Sequence, residues 1–313
     1  MTESSAGPGR TCPVDYRYGA GALAAPATLY AESLWIAGGL YGNTFAYRRL
    51  EEIFADEHGE SALVFNGDFH WFDVAQKAFA EIERGVSLHA ATRGNVETEI
   101  SQPHAGAGCG CAYPAWVHDD DVTCSNRILE RLRDTAQRIP GAAAGLGALP
   151  MYRIAEVGGQ RIAIVHGDAD SLAGWGFSQE VLATREGRDA AAAALRAAGV
   201  RVFASSHTCL PVLQSFEGVG VIVNNGAAGM PNFAGTHYGL ATRISLTSHA
   251  KALYGTRLGP LHVEAIPIDY DVIAWRGAFL AQWPEGSDAH ASYWRRINDG
   301  PRYLANQAVR GQP

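Results

Sequence analysis

Clusters of basic residues and long apolar runs are both missing from this sequence. Lys and Arg number 25 against 32 Asp and Glu, which gives a net charge of −7, and no dense basic run exists that could neutralise a nucleic-acid backbone. No apolar stretch approaches the roughly 20 residues that a membrane-spanning helix requires. We therefore expect no nucleic acid and no membrane as a partner, and we expect a small molecule as the ligand.

Cysteine is also scarce, with five residues in a chain of 313. An odd number in a chain of this size argues against a disulfide scaffold, so we expect reduced thiols. Residues 1–10 are small and polar, and they lack the charged and then apolar pattern of a secretion signal. A cytoplasmic protein is the expectation, and the sequence leaves a homo-oligomer open.

The composition that remains is that of a globular protein, 47% hydrophobic and 18% charged. Short apolar runs such as 34–37 and 61–66 end at glycine-containing loops, and each loop is followed by a helix-forming stretch. This alternation predicts an α/β fold whose loops gather at the carboxyl edges of the strands. We predict an irregular arm over residues 1–25, a single domain over 26–284, and a tail over 285–313 that packs on or extends the domain.

The same patterns, together with capping residues, locate the individual elements. Strands are predicted over residues 34–37, 61–66, 86–91, 149–154, 161–165, 201–204, 219–223, 240–246 and 262–268. Helices are predicted over residues 44–57, 73–85, 125–138, 188–198 and 271–281, with a long loop over 102–115.

Four polar side chains directly follow predicted strands, and these are Asp68, Asn95, His166 and His207. Loops at strand ends can bring oxygen and nitrogen ligands to one point without deforming the sheet, which is what a metal ion requires. One Asp or His at such a position is commonly only a cap or a turn former. Four at corresponding places predict a metal site.

Five stretches, in order and rough spacing, resemble the metal-binding loops of the calcineurin-like metallophosphoesterase superfamily, in its small bacterial phosphodiesterase-like branch. They are Ala37-Gly38-Gly39-Leu40-Tyr41-Gly42-Asn43, Asn66-Gly67-Asp68, Arg93-Gly94-Asn95, Val165-His166-Gly167-Asp168 and Ser206-His207-Thr208-Cys209. The resemblance covers roughly residues 34–283. It implies a β-sandwich of mixed sheets flanked by helices, and hydrolysis of a phosphomonoester or phosphodiester by metal-activated hydroxide.

The resemblance also implies a ligand set. Asp68 would bridge two metal positions, and one of these would be completed by Asn95, His166 and His207, with His207 also stabilising charge on the phosphoryl oxygens. One or two ions of Fe, Mn or Zn are the implied cofactors, and a small phosphorylated compound is the implied substrate.

The other metal position departs from the family pattern. The usual Asp-x-His of the first loop is Gly39 and Tyr41 here, and the last His of the His-x-His loop is Cys209. Phenolate and thiolate both bind metals, because a metal's charge lowers their pKa. Either a second, unusual ion with iron character binds Tyr41, Asp68 and Cys209, or this position has been lost.

Acid catalysis departs from the pattern as well. The family often has a His that protonates the leaving group directly after the Asn, but Val96 stands there. His70 is the candidate replacement, either as an acid or as a ligand, and the alternative is that it packs beneath the loop. Arg93 is a candidate to orient the phosphate, or else it pairs with a local carboxylate.

Two residues are predicted to lie outside the ligand set and to hold the ligands in place. Asn43 ends the first loop, and Asp168 follows His166, where a carboxylate could fix the orientation of the imidazole. The spacing of Cys109-Gly110-Cys111 is a poor zinc signature by itself. The segment either lines the site, takes part in redox chemistry with Cys12, or is a loop of small residues.

Two rival functions remain open. A metal centre with Tyr and Cys ligands would be electron-rich, so an iron-dependent enzyme of redox or thiol chemistry is one alternative. A non-catalytic metal-binding or scaffold protein with a degenerate site is the other.

Overall fold

Two β-sheets packed face to face form the centre of the molecule, and helices cover their outer sides. The computed structural model describes residues 7–311. Residues 1–6 lie outside the described residues. The predictions of an irregular arm and of a missing secretion signal concern these residues in part. Aliphatic side chains from both sheets, among them Ile36, Val64 and Ile164, are buried together in the interface. Apolar burial between the sheets therefore holds the sandwich together.

The elements have the following bounds. The strands are β1 (Leu29–Ala31), β2 (Ser33–Ala37), β3 (Ser61–Asn66), β4 (Ala90–Thr92), β5 (Tyr152–Val157), β6 (Gln160–Val165), β7 (Val202–Ser205), β8 (Val212–Phe216), β9 (Gly220–Asn224), β10 (Gly239–Ser245), β11 (Tyr254–Leu258), β12 (Leu261–Ile268) and β13 (Val309–Arg310). The helices are α1 (Thr44–Ala55), α2 (Gln76–Val86), α3 (Asn95–Ser101), α4 (Asp119–Gln137), α5 (Ala142–Ala148), α6 (Arg185–Ala198), α7 (Val272–Gln282) and α8 (Asp288–Asp299). Short 3₁₀ helices cover Val14–Tyr16, Ala20–Ala24, Val181–Ala183 and Ala305–Gln307.

Both sheets mix parallel and antiparallel pairs. One has the strand order β1-β5-β6-β7-β9-β8-β13, and the other has the order β11-β12-β10-β2-β3-β4. In the second sheet β2, β3 and β4 run parallel, and in the first β6 runs parallel to β7. The carboxyl ends of these parallel strands lie at one edge of each sheet, where their loops meet. The predicted α/β sandwich of mixed sheets flanked by helices is confirmed.

Two predicted boundaries differ from the structure by more than three residues. The strand predicted over residues 86–91 begins too early, because α2 continues to Val86 and the chain pairs with β3 only from Ala90. The helix predicted from Ser125 begins instead at Asp119. Three consecutive aspartates occupy its first turn, where the helix dipole favours negative charge.

The C-terminal tail contains a helix that the sequence analysis did not predict. This helix, α8, packs against α4 and buries Ala289 and Ile297 in the larger helical core. The short elements β1, β8, β11, β13, α3 and α5 were also not predicted. Within residues 7–311, no helix combines the length and the apolar character needed to cross a membrane. The division into arm, domain and tail stays a prediction.

Candidate metal centre

The predicted ligands lie in loops at the carboxyl ends of the parallel strands. Asp68 follows β3, His166 follows β6, and His207 follows β7. The loop after β3 approaches its neighbours so closely that a Cβ on Gly67 would lie 2.6 Å from both Gly94 N and His166 Nδ1. Glycine at position 67 therefore lets loops from the two sheets converge.

Four ligand atoms surround one point, and all four side chains are buried. His166 Nε2 lies 3.3 Å from Asp68 Oδ2, 3.2 Å from Asn95 Oδ1 and 3.2 Å from His207 Nδ1. The ligand atoms of Asp68, His166 and His207 all lie within 4.8 Å of one another. The structure therefore brings together the complete set that the sequence predicted for one metal position.

Carbonyl partners fix which ring nitrogen of each histidine carries the proton. His166 Nδ1 lies 2.9 Å from Asn66 O, and His207 Nε2 lies 3.0 Å from Cys111 O. Because a carbonyl oxygen only accepts hydrogen bonds, these nitrogens are the protonated ones in the neutral rings. His166 Nε2 and His207 Nδ1 therefore turn lone pairs toward the centre of the cluster.

The amide of Asn95 is oriented in the same way. Its Nδ2 donates to Cys109 O at 2.9 Å, so its Oδ1 faces the cluster. The four side chains thus present acceptor atoms to a single point, where they repel one another unless a cation or a proton lies between them. Mixed nitrogen and oxygen donors of this kind fit a divalent first-row metal ion.

The charges of the cluster favour a cation as well. Burial opposes ionisation of Asp68, but His166 outweighs it and lowers the pKa of that carboxyl group. Burial opposes protonation of His166, but Asp68 outweighs it and raises the pKa of that ring. Burial and the charge of His166 lower the pKa of His207 to about 4. The carboxylate form of Asp68 and the neutral form of His207 are the forms that bind metals, whereas His166 must lose the proton that Asp68 favours before it binds one.

Glu97 is a supporting residue that sequence reasoning missed. It is fully buried, and its carboxylate accepts hydrogen bonds from Asp68 N and Gly94 N at 2.8 Å each and from Phe69 N at 3.1 Å. Glu97 therefore ties the loop that carries Asp68 to the loop that carries Asn95. Its position in the first turn of α3, directly after a Gly-Asn loop, is the signal that could have revealed it.

The Cys109-Gly110-Cys111 segment supports the ligands through its backbone. Cys109 O holds Asn95, and Cys111 O holds His207. Gly110 has φ +68°, and a Cβ there would collide with the hydroxyl of Tyr16 and lie 2.8 Å from Glu99 Cγ. The segment is therefore part of the site, and carbonyl groups carry its contribution to the ligands.

Tyr41 and Cys209 form a hydrogen-bonded pair, with 2.6 Å between Tyr41 OH and Cys209 Sγ. Gly39 makes room for the phenol ring, since a Cβ at position 39 would lie 2.8 Å from Tyr41 Cε2 and 2.9 Å from Tyr41 OH. Burial raises the pKa of Tyr41 and of Cys209. Among the described residues, Cys209 is not part of the group formed by Asp68 and the two histidines. A second metal at this pair stays a prediction.

The structure does not bring His70 or Arg93 into the cavity beside the cluster. His70 is fully buried, its ring stacks on Phe79 with 3.7 Å between centroids, and its Nδ1 lies 2.6 Å from Asp73 Oδ2. Arg93 donates through Nη1 to the carbonyl of Gly147 at 2.7 Å. His70 thus packs beneath the loop, and Arg93 braces a neighbouring segment.

Asp168 and Asn43 contact backbone groups and not the imidazoles. The Asp168 carboxylate accepts from Ser171 N at 3.0 Å and from Gly176 N at 2.9 Å, so it shapes the loop after β6. Asn43 caps α1 and donates through Nδ2 to Gly229 O at 2.9 Å. Both residues support the site by fixing its loops.

A cavity of about 260 Å³ opens beside the cluster. Asp68, Asn95 and His207 form part of its wall, and Tyr293 and Arg296 of α8 form another part. The contribution of α8 was missed because its residues lie in the tail, to which the sequence assigned no role. The cavity gives a small molecule access to the ligand cluster.

Neither a family model nor a curated protein matches the chain, but solved structures do. A hypothetical protein from Pyrococcus horikoshii OT3 is similar with a TM-score of 0.58 and 16% identity, over 86% of this chain and 99% of that one. A metallophosphoesterase from Sphaerobacter thermophilus is similar with a TM-score of 0.54 and 15% identity, over 87% of this chain and 100% of that one. The chain therefore shares its fold with a metallophosphoesterase, which agrees with the fold that its five loops predicted.

Proposed function

We propose that the protein is a metal-dependent hydrolase of phosphate esters. The observation that carries the proposal is the convergence of four buried acceptor atoms on one point at the wall of a small cavity. Asp68, Asn95, His166 and His207 would hold the ion. When bound, the ion supplies Lewis-acid polarisation of the phosphoryl group and activation of water. The fold shared with a metallophosphoesterase supports the same reaction class.

Arg296 is the residue that we propose to bind the phosphoryl oxygens, in the role that the sequence analysis gave to Arg93. Arg296 donates to Cys209 O at 2.6 Å and to Pro231 O at 3.2 Å, and it lines the cavity. Carbonyl groups hold its guanidinium in place without neutralising the charge. Among residues 7–311, no carboxylate lies within ion-pairing distance of it. An uncompensated guanidinium facing the cavity suits an anionic substrate.

The finer proposal concerns Tyr41 and Cys209. We propose that Tyr41, Asp68 and Cys209 would hold a second ion, of iron character, whose charge would favour the ionised forms of the phenol and the thiol. The short contact between the phenol and the thiol supports this reading, because both groups become metal ligands once they lose their protons. It also keeps the redox alternative open.

Metal-dependent hydrolysis tests the function. Protein stripped of metal and reloaded with manganese, zinc or iron should hydrolyse p-nitrophenyl phosphate or bis(p-nitrophenyl) phosphate, and His207→Ala should lower the rate by at least about 100-fold. His58→Ala, at an exposed position, is the matched control. Tight metal binding without hydrolysis of either ester would favour the non-catalytic alternative. Two ions per chain with a visible charge-transfer band would support the Tyr41–Cys209 proposal.

A further inference from the structure

Aromatic side chains form much of the cavity wall. Trp71 faces Tyr293 with 6.5 Å between ring centroids and 81° between planes, and Tyr113 lies 5.9 Å from Trp175. The two pairs come from four separate segments of the chain. A cavity wall built from aromatic rings on several segments suits a planar apolar group better than a flexible polar one.

Trp71 is tightly packed in this wall. Its side chain is 3% exposed, and it lines the cavity beside Tyr293. Its ring is therefore held in place where it can contact an aromatic group in the cavity.

Among the described residues that line the cavity, no histidine is free to protonate a leaving group. Val96 occupies the position next to Asn95, and His70 is sealed behind the loop. Both ring nitrogens of His207 already have partners, since Nδ1 faces the cluster and Nε2 donates to Cys111 O.

Two phenols of the cavity wall are hydrogen-bonded to other side chains. Tyr41 OH lies 2.6 Å from Cys209 Sγ, and Tyr113 OH lies 3.0 Å from Ser125 Oγ. The site therefore favours a substrate whose leaving group departs as an anion.

We propose that the substrates are aryl phosphate esters, in which the ester oxygen is attached directly to an aromatic ring. This inference rests on the proposed function. Water adds to phosphorus, the bond from phosphorus to the aryl oxygen breaks with its electron pair, and the phenolate takes a proton from solvent while the attacking water loses one. The aromatic walls bind the ring, and the phenolate leaves without an acid.

Three monoesters test the leaving group and the aromatic ring separately, and these are phenyl phosphate, benzyl phosphate and butyl phosphate. Benzyl phosphate has the ring but an alkoxide leaving group, whereas butyl phosphate has neither. We expect kcat for phenyl phosphate to exceed kcat for benzyl phosphate by about 100-fold, the usual contribution of a general acid. We expect KM for both aromatic esters to be about fivefold below KM for butyl phosphate. Equal kcat/KM for all three esters would overturn the inference.

Substitutions in the cavity wall test which residues cause these differences in kcat and KM. Val96→His should reduce the phenyl-to-benzyl ratio of kcat by at least about tenfold, because it places an acid next to the cluster. Trp71→Leu should remove most of the KM advantage of the aromatic esters, and Trp71→Phe should keep it. If the Trp71→Leu variant kept the KM advantage of the aromatic esters, the assignment of Trp71 would be contradicted.

A binding measurement separates this inference from the proposed function. Phenylphosphonate and methylphosphonate cannot lose an ester group, so their affinities report on the cavity alone. We expect phenylphosphonate to bind the metal-loaded protein about fivefold more tightly. Failure to hydrolyse any of the three esters would contradict the proposed function, whereas equal affinity for the two phosphonates would overturn the aromatic preference.

Discussion

Backbone strain at the scale of single residues concentrates around the cavity. Tyr41, Asp68 and Cys209 have φ of 55°, 51° and 60°, in the left-handed region that side chains rarely adopt, and Ala112, directly after Cys111, has φ of 49°. Each such residue costs on the order of 1–3 kcal/mol and persists only where its surroundings hold it. The strain thus falls on Asp68 and on the phenol–thiol pair, the groups that the proposed function makes metal ligands.

Glu97 gives the first prediction at this scale. Glu97→Gln replaces an acceptor oxygen by an amide group that points at backbone N–H donors, so it should lower the free energy of unfolding by about 2 kcal/mol. It should also weaken metal binding about tenfold, because the loop that carries Asp68 loses its anchor. Urea unfolding and metal titration measure these effects, with the exposed substitution Glu60→Gln as the control. Unchanged stability would show that Glu97 is not the anchor.

Gly39 and Tyr41 give a second prediction, because the phenol ring occupies the space of the missing side chain. Gly39→Asp alone should destabilise the protein by about 2 kcal/mol through overpacking against the ring. In a Tyr41→His background the cost should fall by at least about 1 kcal/mol. Chemical denaturation of the four proteins in this double-mutant cycle measures the coupling. Additive effects would mean that the two positions are independent.

At the scale of elements, the sequence predicted the residues that contribute side chains to the site. Each of the four follows an apolar strand, so its chemistry and its place at a strand end could both be predicted; they are Asp68, Asn95, His166 and His207. The roles of Cys109 O and Cys111 O were not, because every residue has a carbonyl group and the sequence does not show where it points.

Helix α8 was missed for a different reason. Its apolar residues are few and are interspersed with charges, and it covers the cavity only because the tail folds back across α4. Such a contact between segments far apart in sequence cannot be read from local periodicity. The same limit applies to the two-residue strand β13, which owes its existence to pairing with β8.

The carbonyl support predicts the effect of a change at Gly110. Gly110→Ala introduces a Cβ that collides with Tyr16, so the segment must shift and the carbonyls must release Asn95 and His207. We expect metal affinity to fall at least about tenfold. Gly106→Ala is the matched control, since Gly106 also has positive φ, of +77°, but no atom lies within 4 Å of its Cβ position. Equal losses in the two variants would assign the effect to backbone strain alone.

At the scale of the whole molecule, one buried ion pair joins the segment after α1 to the second sheet. Arg243 of β10 donates to Glu57 Oε2 at 2.8 Å and to Glu57 Oε1 at 2.9 Å, and Trp35 donates to Glu57 Oε2 at 2.6 Å. Glu264 completes the network at 3.3 Å from Arg243. Hydrogen bonds from Arg243 lower the pKa of Glu57 from 4.5 to about 2. Burial opposes this shift, and the hydrogen bond from Trp35 adds to it.

This pKa predicts how stability depends on pH. Since the folded pKa lies below the unfolded one, Glu57 contributes its full stabilisation above pH 4.5 and loses it as the pH falls toward 2. The contribution is roughly 3 kcal/mol, taking about 1.4 kcal/mol per pKa unit. Denaturant unfolding between pH 7 and pH 3 should show a shallower loss of stability in Glu57→Gln than in the parent protein. Parallel pH profiles would contradict this assignment.

The central claim, that four converging side chains hold a metal ion, has one direct test. Crystals of manganese- or zinc-loaded protein should give an anomalous difference peak at about 2.0–2.3 Å from Asp68 Oδ2, Asn95 Oδ1, His166 Nε2 and His207 Nδ1. A map without a peak at that point, with the four side chains still facing one another, would contradict the account.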